Sequence, residues 1–246
     1  MKKQQLLRLI VIHLLIVFFS GCAGGLSRRE AARLYYNLGN AYLEIGKSDK
    51  ASESYLKALE YDRKMKIASF NLAKAYMDAE KYSDAITILD SMLEEDPANV
   101  IILSAKAFCI FRFGNFEKAY ELYEKVIEID PANAEALYNS AVIKSEQGNN
   151  SEALEMLTKL RSRKIEDEKL LIRINYAFGE IYYKTDQFEE AIKYLDYVKE
   201  KEPENIKNLN MLFDSCVKTR YFSSAVRAGE QILEFEPDNK DLLFDM

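Results

Sequence analysis

Residues 66–99, KIASFNLAKAYMDAEKYSDAITILDSMLEEDPAN, contain the pattern that decides the fold. Apolar and small side chains recur there at spacings of three and four residues, which is the period of an α-helix, and no stretch alternates as a β-strand does. The 34 residues of this segment accommodate two helices of about a dozen residues each and two tight turns. The segment therefore predicts one helical hairpin.

The same unit recurs along the chain, and an alanine at its twentieth residue marks each copy. These alanines are 34 residues apart, except for one step of 38 residues: Ala51, Ala85, Ala119, Ala153, Ala191 and Ala225. A fixed period of this length predicts a solenoid of stacked hairpins. Each proline follows an acidic residue at the end of a unit, where it cannot continue the second helix. The prolines are Pro97, Pro131, Pro203 and Pro237, and the units are 32–65, 66–99, 100–133, 134–171, 172–205 and 206–239.

Small residues recur where the two helices of a unit must cross. Counted from the first residue of each unit, position 8 is small and position 24 is large in most units, as in Gly39 with Tyr55 and Gly179 with Leu195. A larger side chain at position 8 or 20 would push the helices beyond the usual packing distance of roughly 8–10 Å. We therefore expect the paired helices to approach most closely at these two positions.

One stretch is very close to a known consensus. Residues 36–42, YNLGNAY, resemble the tetratricopeptide repeat, and the pattern recurs six times over about 208 of the 246 residues. The resemblance implies an all-α fold, a right-handed α-solenoid of six helical hairpins. It also implies that the first helices of the hairpins line a concave groove.

Two units depart from the pattern. Unit 134–171 contains four extra residues after Arg161 and no proline. This predicts either a longer helix or loop, or a local change of pitch or a flexible joint. Unit 206–239 has Phe213 at position 8 and Gly229 at position 24, so its hairpin is expected to pack differently.

Residues 1–21 have the features of a lipoprotein signal peptide. A basic start is followed by an apolar run of 11 residues, 9–19, which is too short to span a bilayer comfortably but suits a signal-peptide core. The small pair Ser20-Gly21 and then Cys22 resemble the bacterial lipobox, which implies acylation of the Cys22 thiol. An uncleaved anchor and an ordinary signal peptide are the alternatives.

The resemblance to a lipobox also predicts a location, the bacterial cell envelope. Ala23 stands where an aspartate would retain an enteric lipoprotein in the inner membrane, which favours an outer membrane and a protein that faces the periplasm. Residues 22–31 form the lipidated cysteine, a short tether and a helix start, because Ser27 and Glu30 have the spacing of a capping box. A tether of four residues reaches roughly 13 Å, so the repeats would lie close to the bilayer.

Composition excludes several classes of function. Removal of residues 1–21 leaves 31 basic and 40 acidic residues, a net charge of −9, together with no histidine and no tryptophan. An acidic solenoid without a basic stripe is a poor nucleic-acid binder. Without histidine there is no conventional triad base and no histidine-containing zinc site. We therefore expect no enzyme activity, no metal and no cofactor, and we expect Cys109 and Cys216 to be core residues.

The resemblance places positions 2, 5, 9, 12 and 13 of each unit in the groove. Unit 100–133 has Phe108 at position 9, where asparagine is usual, and its neighbours extend an apolar patch. Such a patch favours a protein partner that offers an amphipathic helix or an extended segment. Alternatively, the aromatic residues are ordinary consensus, or an N-terminal helix or a neighbouring turn covers the patch. The candidate groove residues are Phe70, Lys74, Met77, Ile101, Phe108, Phe111, Arg112, Tyr138, Tyr176 and Tyr183.

The C-terminal residues 240–246 are too short for a polar capping helix, which terminal repeats normally need. Their apolar side chains either fold back over the last repeat or form an exposed interface for dimerisation or a second partner. These side chains are Leu242, Leu243 and Phe244.

These features predict a non-enzymatic, membrane-anchored scaffold that recruits or assembles another protein of the bacterial envelope. Six repeats behind a lipobox resemble the type IV pilus pilotins and other envelope adaptors in size and layout. The alternative is a small-ligand-binding or transport accessory lipoprotein that uses the groove as a cavity.

Overall fold

The computed structural model describes residues 27–239, which contain twelve α-helices and no strand. The predicted signal peptide, Cys22 and residues 240–246 lie outside the described residues. None of the helices in the described part is long and apolar enough to cross a membrane. The helices are α1 (Arg28–Glu44), α2 (Ser48–Tyr61), α3 (Lys66–Asp78), α4 (Tyr82–Glu95), α5 (Val100–Arg112), α6 (Phe116–Ile129), α7 (Ala134–Glu146), α8 (Asn150–Arg161), α9 (Glu168–Lys184), α10 (Phe188–Lys201), α11 (Ile206–Lys218) and α12 (Phe222–Phe235).

The helices form six hairpins, one in each predicted repeat, and this confirms the all-α repeat fold. The chain divides into two compact units. Unit 1 contains α1–α6 and ends at Pro131, and unit 2 begins at Ala132 and contains α7–α12. Within each unit, a helix packs chiefly against the helices that precede and follow it in the chain.

The turn inside every hairpin places position 15 of the repeat in the left-handed region. Glycine occupies this position in three repeats, at Gly46, Gly114 and Gly148, with φ between 72° and 81°. The other three repeats hold an L-residue there: Glu80, Asp186 and Arg220, with φ between 57° and 62°. Because left-handed backbone is unfavourable for residues with a Cβ, the latter three turns are strained.

The closest helix contacts lie at the predicted positions. A Cβ added to Gly39 would lie 2.5 Å from Cε1 of Tyr55, and one added to Gly179 would lie 2.5 Å from Cδ2 of Leu195. Both partners are completely buried, as are the position-20 alanines apart from Ala225 at 4% exposure. The small residue at position 8 therefore makes room for the large residue at position 24.

Repeats 4 and 6, which depart from the sequence pattern, still form helical hairpins. The four extra residues of repeat 4 add one turn to the start of α9, which begins at Glu168 and is capped by the Asp167 carboxylate. In repeat 6 the small and large positions are exchanged, and Phe213 and Gly229 are both buried. At the N-terminal end, Ser27 and Glu30 form the predicted capping box.

Candidate interaction surface

Unit 1 contains a cleft with a volume of about 660 Å³. It lies where α3 and α5 begin and α4 ends. Two of the predicted groove residues, Phe70 and Ile101, line it. Its other apolar lining residues are Ile67, Ile88, Met92 and Ile102.

The walls of the cleft expose large apolar side chains to solvent. Ile67 on α3 is 54% exposed and Ile101 on α5 is 62% exposed. Phe70, Ile88 and Met92 lie deeper and pack against the core of unit 1. Because exposed isoleucines of this size gain free energy when they are covered, the cleft is suited to an apolar partner group.

One end of the cleft is rich in positive charge. Arg63, Lys64 and Lys66 line it where the chain turns from α2 into α3. The Lys66 Nζ lies 2.8 Å from a Glu95 carboxylate oxygen. This pair raises the pKa of Lys66 and lowers that of Glu95 through a hydrogen bond and charge attraction. Within residues 27–239, no ion pair involves Arg63 or Lys64.

The remaining predicted groove residues of unit 1 lie toward the other end of the first helices. Phe108 and Tyr82 pack edge to face with ring centroids 6.4 Å apart. The Arg112 guanidinium lies 5.2 Å from the Tyr82 centroid and 5.8 Å from the Phe108 centroid. Phe111 packs against Phe116 with centroids 5.6 Å apart. These aromatic residues are therefore half-buried in contacts of their own, and they do not line the cleft with Ile101.

Lys74 and Met77 complete the predicted groove set of unit 1. Lys74 is exposed, whereas Met77 is partly buried against the hydrophobic core. Neither lines the cleft.

In unit 2 the structure places Tyr138 in the core. This side chain is only 9% exposed and belongs to the core of the unit. The Arg173 guanidinium lies 4.3 Å from the Tyr138 ring centroid, and its Nη1 is 2.8 Å from both carboxylate oxygens of Glu135. Burial raises the pKa of Tyr138. The ring is thus covered by a neighbouring repeat and offers little surface to a partner.

The other two predicted tyrosines of unit 2 also have partners inside the unit. Lys207 lies 5.5 Å from the Tyr176 ring centroid and 2.9 Å from a Glu180 carboxylate oxygen. The Tyr183 hydroxyl donates a hydrogen bond of 2.9 Å to Asp214. These tyrosines are half-exposed, but their polar and aromatic contacts are already made.

Apart from Phe70 and Ile101, the residues of the cleft were missed from the sequence, and the most important of them are Arg63, Lys64 and Ile67. A signal for them was present. In the first turn between repeats, Asp62 matches the acidic residue near the end of later units, but Arg63 stands where most of them have proline, and Lys64 and Lys66 follow. Ile67 shares position 2 with Ile101.

The described residues offer little for catalysis. No group of three or more cysteine, aspartate, glutamate or histidine side chains that could hold a metal ion occurs in residues 27–239. Both cysteines of this part are buried, as expected. Burial raises the pKa of the Cys109 thiol to about 11 and also raises that of Cys216. Neither thiol is activated as a nucleophile.

Comparison with protein families identifies the repeats. Three family models described as tetratricopeptide repeat match residues 36–100, 111–170 and 172–198, together well over half of the chain. The chain is a tetratricopeptide-repeat protein. These matches confirm the sequence resemblance.

Two relatives of this tetratricopeptide-repeat protein cover different shares of it. The TPR repeat-containing protein MJ1428 of Methanocaldococcus jannaschii is 32% identical over 204 residues, which are 82% of this chain and 29% of that protein. An uncharacterized lipoprotein of Treponema pallidum is 26% identical over 115 residues, 46% of this chain and 57% of that one. The chain thus spans less than two thirds of the length of both relatives.

Solved structures share the fold at low sequence identity. The structure from the functional characterization of Pseudomonas aeruginosa PilF has a TM-score of 0.68 at 19% identity, covering 88% of this chain and 96% of that one. PilW, described as a widely conserved type IV pilus biogenesis factor, has a TM-score of 0.72 at 16% identity, covering 87% and 97%. At these identities the likeness is one of fold.

Proposed function

We propose that this tetratricopeptide-repeat protein is a lipid-anchored, non-enzymatic adaptor that recruits another protein of the bacterial envelope through unit 1. The observation that carries the proposal is the unit 1 cleft, where Ile67 and Ile101 are more than half exposed. Contiguous exposed apolar side chains in a soluble domain mark an interaction surface. The tetratricopeptide fold is that of protein-interaction adaptors.

The anchor is the second part of the proposal. Cys22 follows a basic start, an apolar run and two small residues, and the relative in Treponema pallidum is a lipoprotein. Acylation of Cys22 with more than one chain would hold the protein stably at a bilayer. The ordered fold is described from Ser27, four residues beyond Ala23. The adaptor would therefore work next to the membrane, and an outer membrane facing the periplasm is the location we propose.

Labelling tests the anchor. In cells fed tritiated palmitate, the wild-type chain should incorporate label and sediment with membranes. The Cys22→Ser chain should lose both properties. Cys216→Ser removes a buried cysteine of the fold and serves as the matched control, which should label like wild type. Continued labelling of Cys22→Ser would show that the lipid is not on this residue.

Recovery of a partner tests the adaptor function. Ile101→Asp places a charge on the exposed cleft wall, and a partner that co-purifies with the wild-type protein should be lost. Phe222→Asp is the matched control, because Phe222 is 62% exposed, as Ile101 is, but lies on α12 of unit 2. Equal loss from both variants, or from neither, would contradict a partner site in unit 1.

The size of the cleft favours one alternative, a site for a small apolar ligand. About 660 Å³ lies within the roughly 300–1,000 Å³ of small-molecule sites. Organic extraction of the purified protein followed by mass spectrometry separates the two functions. A stoichiometric apolar compound that is lost from Ile101→Asp, without any co-purified protein, would favour the ligand-binding function.

Type IV pilus assembly is the envelope process that we would test first. PilW is described as a biogenesis factor of that system, but its likeness to this chain is limited to the fold. Deletion of the gene should abolish surface pili if the proposal extends to this process. Normal piliation would place the adaptor in another envelope assembly.

A further inference from the structure

The unit 1 cleft combines an apolar interior with one cationic end. Ile67 on α3 and Ile101 on α5 occupy position 2 of consecutive repeats, line the cleft and remain largely exposed. A partner side chain that enters between α3 and α5 can bury both of them together with the edge of Phe70. An aliphatic or aromatic residue fits this environment, because each buried group of that size gains about 1.5–3 kcal/mol from leaving water.

The charge at this end is opposite to that of the protein as a whole. The full chain has a net charge of −6, yet residues 63–66, RKMK, contain three cations next to a single acid, Asp62. The acidic residues of the cleft already interact with neighbours: Glu95 pairs with Lys66 and attracts Lys64, and the Asp96 carboxylate accepts a hydrogen bond of 2.9 Å from the Asn99 amide. The three cations that line the cleft outnumber its two carboxylates, and the exposed Arg63 and Lys64 can meet a carboxylate from outside.

The start of α3 adds to the positive electrostatic potential at the cationic end of the cleft. Its first turn contains no acidic residue, and its N-cap, Met65, provides no side-chain hydrogen bond. The positive end of the helix dipole is therefore not compensated there, and it favours a nearby anion. This contribution supports the charge of Arg63 and Lys64 and would not define a site alone.

We propose that the occupant of the cleft is an acidic amphipathic segment of the partner protein. Its apolar side chains enter between Ile67 and Ile101, and an aspartate or glutamate beside them meets Arg63 and Lys64. This inference rests on the proposed adaptor function and specifies the chemistry of its partner. The cations set which segment binds and how fast it associates, and the apolar contacts supply most of the affinity.

Photo-cross-linking in cells tests this proposal on the full chain. The photoreactive amino acid p-benzoylphenylalanine replaces Ile101 in one strain and Phe222 in a control strain, since both positions are 62% exposed. Mass spectrometry of the cross-linked peptides should show that Ile101 captures one protein segment with acidic residues near the cross-link. The Phe222 strain should not capture that segment.

Charge reversal provides the decisive comparison. Arg63→Glu with Lys64→Glu, both exposed, should lower the Ile101 cross-link at least about tenfold through like-charge repulsion. Lysine in place of the partner's acidic residues should restore the cross-link to the charge-reversed protein. Retained protection of the buried Cys109 thiol from alkylation will show that unit 1 is still folded.

The outcomes separate this inference from the proposed function. A protein cross-link that is insensitive to charge reversal, or that falls in a basic or uncharged segment, overturns the acidic partner and leaves the adaptor function standing. A cross-link to lipid alone, or no cross-link from Ile101, overturns both.

Discussion

Units 1 and 2 differ at one pair of positions, position 2 of a repeat and position 5 of the repeat before it. In unit 2, the cations at position 2, Arg173 and Lys207, cover the position-5 tyrosines of the preceding repeats. In repeats 2 and 3 of unit 1, position 2 is Ile67 and Ile101, and both stay exposed beside a cleft. The aromatic residues at these positions of unit 2 therefore pack within its own stack, whereas unit 1 leaves apolar side chains exposed there. A tetratricopeptide tyrosine at position 5 is by itself no sign of a binding site.

The chain contains a probe for each unit. Cys109 lies in unit 1 and Cys216 in unit 2, and both thiols are buried with a raised pKa. A thiol that is buried and protonated reacts slowly with alkylating agents, so alkylation reports exposure. Pulse alkylation in a urea series, read by mass spectrometry of the two peptides, gives a separate unfolding midpoint for each unit.

The largest loss of unfolding free energy should come from a Cβ added where the two helices of a hairpin approach most closely. Gly39→Ala places a Cβ against the Tyr55 ring, which is fixed by full burial and a 2.7 Å hydrogen bond from its hydroxyl to Asn40. We expect a loss of about 2 kcal/mol in the free energy of unfolding at Cys109. The matched change, Gly179→Ala, meets Leu195, which is equally buried but has no ring and no side-chain hydrogen bond to hold it, and should cost less at Cys216. A larger loss from Gly179→Ala would contradict this account of the two cores.

The next largest loss of stability should follow from removal of the Arg173 guanidinium in unit 2. Arg173→Ile gives repeat 5 the position-2 residue of unit 1, removes the guanidinium from the Tyr138 ring and leaves Glu135 without its bidentate partner. We expect a loss of about 1 kcal/mol at Cys216. Lys207→Ile, whose charged group is more exposed, is the matched control and should cost less. An unchanged midpoint for Arg173→Ile would show that the cation does not stabilise unit 2.

The turns predict a smaller difference between the units. Two of the three left-handed turns of unit 1 have glycine, Gly46 and Gly114, but only one of unit 2 does, Gly148. Asp186→Gly should therefore raise the unfolding free energy at Cys216 by about 0.5–1 kcal/mol, because it relieves left-handed strain. Gly148→Ala should lower it by about 1 kcal/mol. If Asp186→Gly is destabilising instead, the side chain makes a compensating contact.

The repeat fold could be predicted from the sequence, whereas the open surface could not. Period, turn position and the fit of Gly39 to Tyr55 follow from side-chain size and backbone geometry at a fixed spacing. The exposure of Tyr138 depends on a residue 35 positions away, Arg173, and position counting alone does not give that contact. Likewise, Phe108 is predicted from the sequence to lie in the groove, but its contact with Tyr82 of the preceding repeat does not follow from position counting.

A substitution of Ile101 should close the unit 1 cleft without loss of stability. Ile101→Arg gives repeat 3 the position-2 residue of repeat 5, so the new guanidinium should lie over Phe70 as Arg173 lies over Tyr138. Since Ile101 is 62% exposed, the unfolding free energy at Cys109 should change by less than about 0.5 kcal/mol. Partner recovery should nevertheless fall as it does for Ile101→Asp, because the apolar wall is gone. A variant that still recovers its partner would show that the cleft is not the binding surface, and that the difference between the two units concerns stability alone.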